Sequence, residues 1–240
     1  MTTVVKFLIA AALALFLSSC QIDRIMGVTG NGNVQTENRH SVKNFTAIKA
    51  SSGLNVYITQ DANYTVKVEA DENLINLIRT EVSGGELRIY PEKNIGRAKS
   101  KKVYVSLPEV TAITSSSGSD VYVENILKAD NLELKSTSGS ALRLETEADN
   151  MTCRASSGAN IRIKGTANTL KARASSGSVI KAEDLQTARC DAEASSGGNI
   201  SVFVTEDLTA SASSGGDIRY SGNPESVSTG KSVSGSVRKD

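Results

Sequence analysis

Seven times along this 240-residue chain a Ser or Thr followed by Ser-Gly leads into a run of alternating apolar residues. The glycines are Gly53, Gly118, Gly139, Gly158, Gly177, Gly197 and Gly215, and from Gly118 onward they fall 21, 19, 19, 20 and 18 residues apart. A period near 20 residues is the mark of one unit stacked on itself, not of independent sites. Aligned on the glycine, the third following position reads Val56, Val121, Leu142, Ile161, Ile180, Ile200 and Ile218. The fifth reads Ile58, Val123, Leu144, Ile163, Ala182, Val202 and Tyr220. Five residues before the glycine stand Ile48, Ile113, Leu134, Cys153, Ala172, Ala192 and Ala210. Alternation with period two on both sides describes strands with one buried face.

Each coil therefore reads as a strand, a Ser-Ser-Gly corner, a second strand and a looser return. Coils stacked in register place parallel strands about 4.8 Å apart. The expected fold is all-β: a single right-handed parallel β-helix or β-solenoid with coils of about 20 residues. The glycine suits a corner that demands a positive φ. The serine hydroxyls suit backbone groups left bare there and in the stacked neighbours. Between Gly53 and Gly118, "YTVKVEA" (64–70), "ELRIYPE" (86–92) and "KVYVSLP" (102–108) read as earlier, less regular coils, with "AKSKK" (98–102) in a solvated loop. Only "DENLINLIRTEV" (71–82) carries a weak helical period.

The N-terminus reads as an export signal. Lys6 precedes the apolar run 7–17, which is too short to span a bilayer as a helix, a task needing about 20 residues. "LSSC" (17–20) follows and resembles the lipobox of bacterial lipoproteins, in which the Cys20 thiol is acylated and becomes the first mature residue. The expected organisation is a signal peptide over 1–19, a lipidated N-terminus and tether over 20–33, and a β-helical domain over 34–240. More than one acyl chain at Cys20 makes a firm membrane anchor. Gln21 stands where enteric lipoproteins carry an inner-membrane retention Asp, which points to the outer membrane.

Charge is balanced, with 27 Lys+Arg against 26 Asp+Glu, so nothing global points to nucleic acid as a partner. The chain has one histidine, His40, and a serine nucleophile needs a base within reach, so the repeated serines are not triads. No catalytic residue, metal or cofactor is expected. Asn55, Asp120, Asn160, Asn199 and Asp217 share one column, but Ala141 and Val179 break it, and calcium needs several converging oxygens. Cys153 and Cys190 face inward from different columns with a coil between, too far apart for a disulfide.

One outward column suggests a ligand. Four residues after the glycine come Tyr57, Tyr122, Arg143, Arg162, Lys181, Ser201 and Arg219. Stacked coils turn the cations into a ladder able to grip a linear polyanion such as an acidic glycan. Glu124, Glu145 and Glu183, two positions further on, share that face and can neutralise it.

Several longer stretches carry a family resemblance: "FTAIKASSGLNVYI", "VKVEADENLINLIRTEV", "GGELRIY", "KVYVSLPEVTAITSSSGSDV" and "YSGNPESVSTGKSVSGSVRK". In this order and spacing they resemble the bacterial head GIN domain family of autotransporter adhesin heads, from about Val34 to Lys239. The resemblance implies a β-helical domain on an exported lipoprotein and supplies no catalytic motif. The functional expectation is a non-enzymatic cell-envelope lipoprotein, an adhesin or binding scaffold of the outer membrane, whose partner is an acidic glycan or an envelope or host protein. The alternatives are a β-helical polysaccharide lyase or hydrolase built on the three glutamates, and an envelope sensor module. A glycosidase needs paired carboxylates, usually in an aromatic-lined cleft, and this chain has no Trp.

Overall fold

The computed structural model describes residues 27–230 and 234–240. The signal segment, Cys20 and the first stretch of the tether lie outside the described residues.

In chain order the strands begin with β1 (Val34–Asn38), β2 (Ala47–Ala50), β3 (Asn55–Gln60) and β4 (Thr65–Asp71). After one helical turn, Glu72–Ile75, come β5 (Ile78–Ser83), β6 (Glu86–Pro91), β7 (Lys101–Leu107) and β8 (Ala112–Ser115). The long strands follow: β9 (Asp120–Thr137), β10 (Ala141–Ser156), β11 (Asn160–Ala174), β12 (Val179–Ala194) and β13 (Asn199–Ala212). The chain ends in β14 (Asp217–Ser221), β15 (Ser226–Thr229) and β16 (Ser236–Lys239). From β9 to β14 each strand pairs parallel with the next, and β3 joins this stack directly on β9. The protein is a β-solenoid.

The buried columns are those read from the glycine alignment. Val56, Val121, Leu142, Ile161, Ile180, Ile200 and Ile218 are consecutive rungs of one ladder, each at most 1% exposed. β-branched side chains favour this pleated, half-buried setting. The opposing column of Ile48, Ile113, Leu134, Cys153, Ala172, Ala192 and Ala210 is equally buried. Its shift from Ile and Leu to Ala along the stack leaves less side-chain volume in that column of the later coils.

The corners differ from the expectation in one respect. Glycine takes φ of 68–76° at all seven, but the serine before it is also left-handed, from 48° at Ser214 to 60° at Ser52. Two positive central φ values define a type I′ turn, closed by bonds such as Ser178 N–H to Ser175 O at 3.2 Å. Serine carries a steric cost in this region. Stacking offsets it, because each glycine N–H donates to the carbonyl of the strained serine in the next coil, as Gly118 does to Ser138 at 3.0 Å.

The hydroxyls that serve the corner are not mainly those of the Ser-Ser pair. Ser119, Ser140 and Ser178, one residue after the glycine and buried, donate to carbonyls of the preceding coil, at 2.9 Å for Ser178 to Ala155. Each also accepts the N–H of the residue that opens its own corner.

There is no looser return. A single strand of 14–18 residues runs from one corner to the next in β9 to β13. The uneven coil length is absorbed by bulges. Register slips between Arg143 and Glu145, between Arg162 and Lys164, between Ala182 and Gln186 and between Thr187 and Arg189, none of them before the fourth residue after the glycine. The flanks of every corner stay aligned because the irregularities fall between them.

The Gly53–Gly118 interval is not three coils but a cap. β6 and β7 add one parallel layer, on β2 and β3 respectively. β4 then pairs antiparallel with β7 and β1, and β5 antiparallel with β6. The helical period of 71–82 yields only the single turn, since Ile78 onward is drawn into β5. "AKSKK" is not a solvated loop: Ser100 is buried, and β7 begins at Lys101. The end of the tether is fastened too. Val28 bridges Ile95, Gly30 N–H donates to Arg97 O, and Gly32 N–H donates to Asp71.

Candidate binding face

The outward column assembles as one ladder. The position after each buried rung must point away from the core, and pairing places Tyr57 beside Tyr122, then Arg143, Arg162, Lys181, Ser201 and Arg219 in turn. The structure lengthens it at both ends. Arg238 follows Arg219, while Tyr104 and then Lys67 precede Tyr57. Neither Tyr104 nor Lys67 belongs to a Ser-Ser-Gly unit, so the alignment on glycine passes over them.

The two halves of the ladder differ in chemistry. Tyr57 stacks on Tyr104 at 5.1 Å and on Tyr122 at 5.3 Å between centroids. Lys67 Nζ lies 4.5 Å from the Tyr104 ring and the Arg143 guanidinium 5.2 Å from the Tyr122 ring. Cations thus close both ends of a three-ring stack. The faces of Tyr57 and Tyr122 are covered, which leaves them no open platform for a sugar ring. Beneath this end, burial followed by the nearby Glu69 pushes the Tyr104 hydroxyl above its usual range. The Ser100 hydroxyl, and then Lys102, hold Glu69 low against the opposing effect of burial.

The cationic half is exposed. Arg162 pairs loosely with Asp184 at 3.4 Å, and both side chains are 55% exposed. Lys181 has no carboxylate partner among the described residues. Asp217 receives both Arg219, at 3.2 Å, and Arg238, at 2.7 Å. The Arg238 guanidinium lowers the Asp217 carboxyl, burial works against it, and Arg219 adds to the lowering.

The three glutamates expected to share this face are dispersed by the bulges. Glu145 stands opposite Ile126 and Lys164 and pairs with Lys164 at 2.6 Å. Glu124 accepts from the Thr59 hydroxyl, and Glu183 falls within a register slip. They form no single column. Cys153 and Cys190 are free and buried. Among the described residues no three His, Cys, Asp or Glu gather as metal ligands.

A second outward row lies on the other flank, missed by a search confined to residues after the corner. Four residues before the glycine stand Lys49, Thr114, Lys135, Arg154, Arg173, Glu193 and Ser211. The same alignment contains it, because the flank before the corner is as regular as the one after.

Several crystal structures superpose on 89% of the chain. A "putative adhesin" from Bacteroides fragilis NCTC 9343 is 23% identical over all of that chain, with a TM-score of 0.82 and 89% of this chain covered. One from Parabacteroides merdae ATCC 43184 is 18% identical over 98% of its length, with a TM-score of 0.71. A "putative lipid binding protein" from Parabacteroides distasonis ATCC 8503 is 25% identical over 99%, with a TM-score of 0.65. No curated protein sequence matches the chain. Residues 44–224 match the family model described as "Putative auto-transporter adhesin, head GIN domain". That span holds the seven corners and most of the cap, and the chain belongs to the head GIN domain family.

Proposed function

We propose that this protein is a non-enzymatic lipoprotein of the cell envelope, a binding scaffold anchored through Cys20, whose solenoid presents a cationic row to a linear acidic polymer. The observation that carries the reading is the adjacency of Arg143, Arg162 and Lys181 on successive rungs, all exposed. Parallel strands set such rungs about 4.8 Å apart, a spacing that lets one extended chain meet several cations. The "LSSC" sequence supports lipidation, and Gln21 after it supports the outer membrane. No helix among the described residues is long and apolar enough to cross a membrane.

Within this reading Tyr57 and Tyr122 have a supporting role, since their stack holds Arg143 in place. Arg143, Arg162, Lys181 and Arg219 are the contacting residues. The test is a glycan and matrix-protein array probed with the purified protein beside the variant Arg143→Ala/Arg162→Ala/Lys181→Ala. Binding to an acidic glycan that disappears in the variant supports the reading. Binding that survives the triple substitution, or none to any acidic polymer, overturns it.

A further inference from the structure

We infer that the flank before the corners carries a second site, separate from the cationic ladder, for a short saccharide bearing a carboxylate. Two residues before successive corner glycines stand Ser156, Ser175 and Ser195, each half-buried. Their hydroxyls make no hydrogen bond among the described residues, whereas the buried Ser119, Ser140 and Ser178 are fully engaged. The three serines line a groove of about 380 Å³ together with Lys135, Arg154, Arg173 and Glu193. That volume lies within the range of about 300–1,000 Å³ typical of small-molecule sites.

The wall has donors to spare. Arg154 gives one Nη to Glu133 at 2.6 Å, and Arg173 gives one to Glu193 at 2.8 Å while its other Nη lies 3.8 Å from Asp191. A guanidinium carries five N–H donors in a planar fork matched to a carboxylate, so each arginine keeps most of its capacity. These ion pairs are about half exposed, with 48% for Arg154 and 45% for Arg173, and pairs of that kind contribute little and exchange readily. Lys135 has no carboxylate partner among the described residues.

The class of ligand follows from what the groove offers and lacks. Ser and Thr hydroxyls both donate and accept, and here they recur at the strand spacing, which suits a body rich in hydroxyls. Ala155, Ala174 and Ala194 are buried, so their methyl groups add little to the groove's surface. Glu133 and Glu193 lie beside the arginines and repel a densely charged polyanion. A short saccharide with one carboxylate on each hydroxyl-rich ring meets the Arg154–Arg173 wall with less of that repulsion than a densely charged chain.

The experiment is calorimetric titration of the full chain with digalacturonate, alongside neutral digalactose and galactose 6-phosphate. Saturable binding of digalacturonate is expected, weakened about tenfold or more by Arg154→Gln/Arg173→Gln, because charge-assisted bonds are lost. Arg143→Ala/Arg162→Ala/Lys181→Ala is expected to leave this binding unchanged, which separates it from the ladder. Ser175→Val fills the floor without altering charge and is expected to weaken binding with an unchanged unfolding midpoint. No saturable binding, equal affinity for digalactose, preference for the phosphate ester, or loss only in the ladder variant would each overturn the inference.

Discussion

The ring of Tyr57 lies flat against that of Tyr104, 5.1 Å away with 19° between their planes, although the two belong to a repeating coil and to the cap. The pair marks where the solenoid joins its end, and a third ring, Tyr122, continues it. Aromatic pairs contribute about 0.5–1.5 kcal/mol each beyond area burial. Tyr57→Ala removes the middle ring and both stacks, so a loss of about 2 kcal/mol in urea unfolding is expected. Tyr104→Ala, with one ring neighbour, should cost less.

Inside and outside are separated by a single residue. Ile161, 0% exposed between Leu142 and Ile180, loses a stacked aliphatic in Ile161→Ala at a cost of about 2–5 kcal/mol. Arg162→Ala breaks only an exposed pair and should cost less than about 1 kcal/mol. Equal losses in chemical denaturation would mean that this strand is turned over.

Two neighbouring kinds of glycine should respond differently to alanine. At Gly177 a Cβ meets open space, so Gly177→Ala carries only the positive-φ cost of about 1–2 kcal/mol. At Gly198 a Cβ would sit 2.4 Å from the Ala174 carbonyl oxygen. Gly198→Ala must push adjacent coils apart and should cost about 3 kcal/mol or more. Thermal unfolding of the two variants gives the order.

Acid should loosen the cap. Asp71 is wholly buried and accepts N–H bonds from Gly32 at 2.9 Å, Lys99 at 3.0 Å and Ser100 at 2.9 Å. Burial alone would raise its carboxyl, but the N–H groups of Ser100, Gly32 and Lys99 outweigh it and hold it below the usual range. A carboxyl lowered on folding stabilises above the unfolded value, and that stability is lost as pH falls through the folded one. Below about pH 4 the amides of Gly32 and Ser100 should therefore exchange faster. Asp71→Asn should flatten that dependence and lower stability by about 2 kcal/mol at neutral pH.

Neither core thiol should react in the folded state. Burial pushes Cys190 up to about 12, with Asp191 adding to it, and raises Cys153 further. At pH 8 a disulfide thiol reagent should modify both only after denaturant is added. Rapid labelling of Cys153 or Cys190 in the native protein would contradict the burial of these columns.

The interior of the coils was legible because two periods coincide in the same residues. Val121, Leu142 and Ile161 are each third after a glycine and each on the inward parity of a strand, and both facts are local. The corner was half legible: glycine signals a positive φ, whereas serine gives no such signal, and at Ser117 or Ser176 it is supported by a stacked glycine N–H that donates to the serine carbonyl. The cap was not legible. "YTVKVEA" and "KVYVSLP" alternate alike, yet β4 runs antiparallel and β7 parallel to its coil neighbour, since alternation assigns a face and says nothing of direction.

The candidate face divides in the same way. Local spacing alone put Arg143, Arg162 and Lys181 on one outward column, because the flanks of the corners keep a constant register. Three features needed the folded chain: the bulges that scatter Glu124, Glu145 and Glu183, the closing of Asp71 on Gly32 and Ser100, and the stacking of Tyr57 on Tyr104. Each depends on pairing between segments distant in the chain. A period in the sequence repeats a position within a coil; which coil lies beside it is decided by the packing of the whole.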